Sequence, residues 1–165
     1  MDNGKVAIMM GSKNDLPIVK RAFEILDRFN VPYQARVLSA HRTPHEAASF
    51  AEGAEKEGFK VIICAAGMAA HLAGVVAAHT TLPVIGIPLA SEPFNGLDSL
   101  LSMVQMPPGI PVATVTTGKC GADNAALFAV AILALSDNEL ALQLKNFRAE
   151  QTKKVLEADA ELQKD

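Results

Sequence analysis

The stretch Ser39-Ala40-His41-Arg42-Thr43-Pro44 places a hydroxyl, an imidazole and a guanidinium within four residues. Arginine suits bidentate recognition of a phosphate, and an unperturbed histidine titrates close enough to neutrality to take a proton and return it. A plain surface turn with a solvated Arg42 is the alternative. A second stretch, Gly11-Ser12-Lys13-Asn14-Asp15, offers a glycine for close approach, a hydroxyl, and free N–H groups at a helix start, which favour an anion. Asp15 can accept from ribose hydroxyls. The same run is also an ordinary capped turn, and it lacks the Gly-Lys-Ser/Thr end of a triphosphate loop and the spaced glycines of a dinucleotide site. A third stretch, Ala66-Gly67-Met68-Ala69-Ala70-His71-Leu72-Ala73-Gly74, runs small residues into a histidine. Such residues admit a flat ring, and His71 could touch a carboxylate or carbon dioxide, or they simply allow close helix packing. His45 follows His41 by four residues, a spacing that invites a metal reading. His41 precedes the helix-starting Pro44, however, and no acidic or thiol ligand is spaced to complete a site. No metal is expected, and His45 and His79 read as surface residues.

These stretches need elements to hold them. Lys5 to Met10 is an almost wholly apolar run ending at Gly11-Ser12, the signature of a parallel strand buried on both faces. Val19, Phe23, Leu26 and Phe29 then recur at three- and four-residue spacing, so a helix is expected from Asp15 to Phe29, capped by Asn14 or Asp15. The grammar repeats: strands at Tyr33 to Leu38, Lys60 to Ala66, Pro83 to Ile87 and Val112 to Thr116, and helices at Pro44 to Lys56, His71 to Thr80, Leu97 to Gln105 and Ala122 to Leu135. A last helix is expected over about 137–156, within a single α/β domain spanning 1–165. Alternation of this kind calls for a five-stranded parallel sheet covered by helices on both faces, a flavodoxin-like three-layer α/β/α sandwich. In such a sheet ligands bind at the carboxyl ends of the strands, where the three stretches fall.

The chain is 50% hydrophobic and only 20% charged, which leaves little charge to cover a monomer and favours a homo-oligomer. A net charge of −3 with no long basic run argues against nucleic acid or an anionic membrane as partner. No long apolar span occurs, and Met1-Asp2-Asn3-Gly4-Lys5 passes into the first strand without a cleavable signal, so a cytoplasmic enzyme with a small substrate is expected. Cys64 and Cys120 match neither a disulfide framework nor a zinc site.

Four marks together carry a resemblance: Met10-Gly11-Ser12-Lys13-Asn14-Asp15, Ser39-Ala40-His41-Arg42-Thr43-Pro44, Ala69-Ala70-His71-Leu72 with Gly74, and the run from Gly96-Leu97-Asp98-Ser99 to Gln105-Met106-Pro107. On them the chain, over nearly its whole length, resembles the PurE family, the phosphoribosylaminoimidazole carboxylase catalytic subunit. The Ala-Ala-His-Leu loop looks like the mutase branch, an isomerase of purine (IMP) biosynthesis that acts on N5-carboxyaminoimidazole ribonucleotide. The other branch carboxylates aminoimidazole ribonucleotide directly with carbon dioxide. The resemblance implies that His41 is the general acid and base and that Ser12, Asp15 and Arg42 bind the ribonucleotide. Ser39, Gly67, Ala70, His71 and Leu72 complete the site. It further implies no cofactor and a homo-octamer. Asn14, Met68 and Ala73 depart from the family's commoner serine, glycine and proline. A phospho-receiver would need acidic residues where Met9-Met10-Gly11 and Cys64-Ala65-Ala66-Gly67 stand. A flavodoxin-like nucleotide-binding module without catalysis is the non-enzyme reading; a flavin carrier would want aromatic side chains to stack on the ring.

Overall fold

Side chains of a strand alternate between its two faces, and the first strand, β1 (Lys5–Met10), feeds two separate cores. Val6, Ile8 and Met10 pack with Val19, Ala22 and Leu26 of α1 (Leu16–Arg28), with Ala122 to Leu133 of α5 (Gly118–Leu133), and with Leu140 of α6 (Asn138–Leu162). Ala7 and Met9 pack with Ala47 and Ala51 of α2 (Pro44–Gly53), with Leu72, Ala73 and Val76 of α3 (Leu72–Ala78), and with Met103 of α4 (Leu97–Val104). The computed structural model describes residues 4–163; Met1 to Asn3, read above as leading into β1, lie outside them.

The remaining strands are β2 (Tyr33–Val37), β3 (Phe59–Gly67), β4 (Val84–Leu89) and β5 (Ala113–Thr114), all parallel, in the order β2-β1-β3-β4-β5. This is the flavodoxin-like order, with its switch point between β1 and β3. Met10 is level with Val37 on one side and Ala65 on the other, so the loops leaving these three strands start at the same height. Cys64 of β3 is fully buried, and burial pushes its thiol far above the ordinary range, which keeps it inert.

Boundaries differ from the sequence reading where packing or a turn overrides pattern. β5 shrinks to Ala113–Thr114 because it pairs only with β4 and the chain then swings toward α5. α5 starts at Gly118, not Ala122: Gly-Lys-Cys-Gly has poor helix propensity, but Gly121 packs against the Thr116 carbonyl where a larger side chain would not fit. Asp15 stands at the N-cap position of α1, as expected, but its side chain makes no cap bond to that helix; the side-chain cap is one turn earlier, at Ser12. Its Oγ accepts from the Asn14 N–H at 3.2 Å, while Asp15 Oδ2 accepts from the Ser12 N–H at 2.9 Å, and a single 3-10 turn (Lys13–Asp15) joins this capping box to the helix. α2 stops at Gly53, short of Lys56. α6 runs past Leu156 to Leu162; its first half lies on the domain and its second half is exposed.

Candidate active site

Because β2 and β3 flank β1, the loop after β2 and the loop after β3 can meet across the end of β1, while the loop after β1 rises beside them. The β2–α2 loop is wound by Ser39 and Thr43. Ser39 Oγ accepts from the backbone N–H groups of His41 (3.3 Å) and Arg42 (3.2 Å), and Thr43 Oγ1 accepts from the Ser39 N–H (2.8 Å) and donates back to the Ser39 carbonyl (3.1 Å). The local closure projects His41 and Arg42 outward, and both are exposed. Arg42 Nη2 donates to the Gly11 carbonyl at 2.6 Å, tying this loop to the one that carries Ser12 and Asp15.

On the other side, His41 Nε2 lies 2.9 Å from His71 Nδ1, with the two rings edge-on at 84° and their centroids 5.0 Å apart. His71 is held by its neighbours: Ala70 and Leu72 are buried, so their side chains belong to the core and only their backbone reaches the rim. Gly67 allows the close approach of β4 that shapes this loop, since a Cβ there would sit 3.3 Å from the Leu89 carbonyl. Met68 adopts a left-handed backbone (φ 57°), a conformation that costs a side-chain-bearing residue about 1 kcal/mol, and its side chain is 64% exposed.

Ser12, Asp15, His41, Arg42 and His71 are thus brought to one crevice, and Ser39 and Gly67 shape it. His45 is exposed on α2 without a bond to the cluster, and His79, at the far end of α3, pairs through Nδ1 with Glu52 Oε1 at 2.9 Å. Among the described residues no three His, Cys, Asp or Glu side chains are grouped to hold a metal. The sequence reading missed Thr43, whose hydroxyl winds the loop; its position four residues after Ser39, before a proline, was the available signal. It also missed the contact between the two histidines, which are 30 residues apart and carry no local signal. A cavity of about 920 Å³ lies at the opposite end of the sheet, lined by Leu82, Pro83, Phe128, Ile132 and the Glu52–His79 pair. It offers no guanidinium, and it lies at the amino rather than the carboxyl ends of the strands, so its size does not make it the site.

A sequence model of the AIR carboxylase family matches residues 5–154. The chain belongs to that family. It is 54% identical over 153 residues to a protein of Escherichia coli K12, covering 93% of this chain and 90% of the relative. It is 53% identical over 157 residues to one of Bacillus subtilis 168, covering 95% and 97%; both relatives are named N5-carboxyaminoimidazole ribonucleotide mutase. The crystal structure of Treponema denticola PurE superposes with a TM-score of 0.85 at 32% identity, covering 95% of this chain and 97% of that one. The family's fold and the sandwich expected from the strand–helix alternation are the same. No helix among the described residues is long and apolar enough to cross a membrane.

Burial pushes the Asp15 carboxyl above the ordinary aspartate range, against the lowering pulls of the Ser12 N–H and the Arg42 guanidinium. A raised folded-state value means that the ionised carboxylate costs stability above it, and that this cost disappears below the unfolded-state value. Asp15→Asn keeps an oxygen to accept from Ser12 and removes the charge. Its thermal midpoint at neutral pH is expected to equal or exceed that of the parent, with the advantage shrinking as pH falls through the carboxylate range. A midpoint well below the parent's at neutral pH would contradict this.

Proposed function

We propose that this chain is an isomerase of purine biosynthesis that converts N5-carboxyaminoimidazole ribonucleotide to 4-carboxy-5-aminoimidazole ribonucleotide, moving a carboxyl group from nitrogen to C4. The observation that carries the reading is the meeting of the Ser12/Asp15, His41/Arg42 and His71 loops at one crevice, in a chain more than half identical to proteins named for that reaction. Arg42 and the Ser12 hydroxyl hold the phosphate, and Asp15 accepts from the ribose. Ser39, Gly67 and His71, with the backbone of Ala70 and Leu72, form the rest of the rim. The carbamate loses carbon dioxide readily, and the electron-rich C4 attacks the trapped molecule. His41 removes the C4 hydrogen and returns a proton to the nitrogen, without ATP, metal or organic cofactor. The protein supplies position, water exclusion and a carrier that moves a proton from C4 to the nitrogen.

Water exclusion bears on the assembly. In one chain His41, Arg42 and His71 are open to solvent, so a second copy must close the crevice. Phe94, Leu97, Leu101 and Val104 form an exposed apolar stripe on and before α4, all between 47% and 63% exposed. A cytoplasmic homo-octamer fits both facts. Light scattering is expected to give a particle well above dimer size at micromolar chain concentration; a stable monomer would refute this part.

The function is tested by supplying pure protein with the carbamate alone, and separately with aminoimidazole ribonucleotide plus bicarbonate. Rapid formation of the C4-carboxylate from the carbamate, with little from the second mixture, is expected. The reverse pattern would make the chain a direct carboxylase.

A further inference from the structure

An N–H···N bond holds one hydrogen between two nitrogens, so the 2.9 Å contact between His41 Nε2 and His71 Nδ1 leaves two arrangements open. If His71 donates, neutral His41 carries its hydrogen on Nδ1 and has no free basic nitrogen. If His41 donates, Nδ1 is free to act as a base. After His41 Nδ1 has taken a proton, Nε2 still carries its hydrogen and still points at the same acceptor. Only the second arrangement survives the whole proton cycle without breaking the pair. The bond also becomes charge-assisted, and therefore stronger, when His41 is cationic.

The mounting of His71 suits an acceptor held in place. It stands at the start of α3, yet its side chain makes no bond to the helix terminus. Its N–H donates to the Ala69 carbonyl at 2.8 Å and its carbonyl accepts from Val75 at 2.9 Å. Ala70 and Leu72 anchor it in the core at 1% and 2% exposure. His41 Nδ1 makes no hydrogen bond among the described residues.

We infer that His71 is a positioning residue for His41, accepting the His41 Nε2–H so that Nδ1 is the nitrogen presented to the substrate. The inference rests on the reading of His41 as proton carrier. In the step it serves, the C4–H bond breaks and its electron pair returns to the imidazole ring. The proton forms an N–H bond at His41 Nδ1 and later leaves from that atom to the substrate nitrogen that has lost its carboxyl group. The His41 Nε2–H bond is unchanged throughout.

The test uses the full chain with ¹⁵N-labelled histidine and two variants, His71→Leu and His71→Asn. Nitrogen chemical shifts in the parent are expected to show both neutral rings protonated at Nε2, and His41 in His71→Leu is expected to become a tautomer mixture. In turnover, His71→Leu should lower kcat by about tenfold or more, the scale of a general base lost in part, with KM held within about threefold. His71→Asn, whose side-chain oxygen can accept near the Nδ1 position, should recover most of that kcat. A parent His41 protonated at Nδ1, or a His71→Leu variant with raised KM and unchanged kcat, would overturn the inference. The tautomer reading requires no turnover, so an inactive parent with both rings protonated at Nε2 would count against the proposed reaction and leave the pairing standing.

Discussion

His41→Asn is expected to lower turnover of the carbamate by at least about a hundredfold, the scale of losing a general acid and base, with little change in substrate binding. When the carboxyl carbon joins C4, that ring carbon still holds its hydrogen, and aromaticity returns only when a base removes it. Asparagine keeps some of the hydrogen bonding of imidazole but cannot cycle a proton. Binding should persist because Ser12, Asp15 and Arg42 sit on the other side of the crevice, and the Arg42 tie to the Gly11 carbonyl does not involve the imidazole. Folding should be unaffected, since His41 is exposed and its loop is wound by Ser39 and Thr43. His45→Asn, on the exposed face of α2, is the control and should keep most of the activity. Steady-state kinetics and isothermal titration with the product decide it. Normal turnover in His41→Asn, or loss confined to His45→Asn, would remove His41 from the proton transfer.

Gly121→Ala is expected to cost about 3 kcal/mol or more, at the upper end of overpacking effects. A Cβ built on Gly121 would lie 1.8 Å from the Thr116 carbonyl oxygen and 3.4 Å from Ile87 Cγ2. The first contact is with backbone, so no side-chain rotation relieves it; either α5 must lift from β4 or the chain after β5 must move. Such a shift would disturb the face on which α1 and α5 are joined by the bidentate Arg21–Asp123 pair. Gly53→Ala is the contrast. Gly53 closes α2, a Cβ there meets only the end of the Glu57 side chain at 4.0 Å, and alanine should be neutral or stabilise by up to about 1 kcal/mol. Thermal midpoints at one chain concentration separate the two, because assembly would otherwise move them. Equal midpoints for Gly121→Ala and the parent would show that the turn at Thr116 is not confined.

Local chemistry made several features legible without coordinates. The short apolar runs at Lys5 to Met10 and Lys60 to Ala66, each bounded by a glycine, read as strands buried on two faces, and the spacing of Val19, Phe23 and Leu26 reads as a helix. Their alternation leaves a parallel sheet, and a parallel sheet places its ligands at the strands' carboxyl ends. That reasoning was enough to single out Ser12, Asp15, His41, Arg42 and His71 as candidates, because their side chains carry the relevant chemistry wherever the chain puts them. Glycines misled it at the start of α5. Propensity counts Gly118 and Gly121 against a helix, whereas contact with the turn at Thr116 demands a residue with no side chain at 121, and Gly118 takes a left-handed backbone (φ 69°) that favours glycine.

Tertiary structure decided what depends on distances between segments far apart in the chain. That β2 and β3 both border β1 follows from the strand order, and only this order lets His41 reach His71 across the sheet end and Arg42 reach the Gly11 carbonyl. No residue spacing encodes either contact, since both arise from crossovers that return the chain to one edge of the sheet. Burial likewise placed the side chains of Ala70 and Leu72 in the core, leaving their backbone to face the crevice, and pushed the Asp15 carboxyl upward. The sequence by itself determined which side chains and which end of the sheet could do chemistry, because residue type and hydrophobic period are local properties. Which of those side chains face one another was left to packing, because that is set by the sum of contacts over the whole fold.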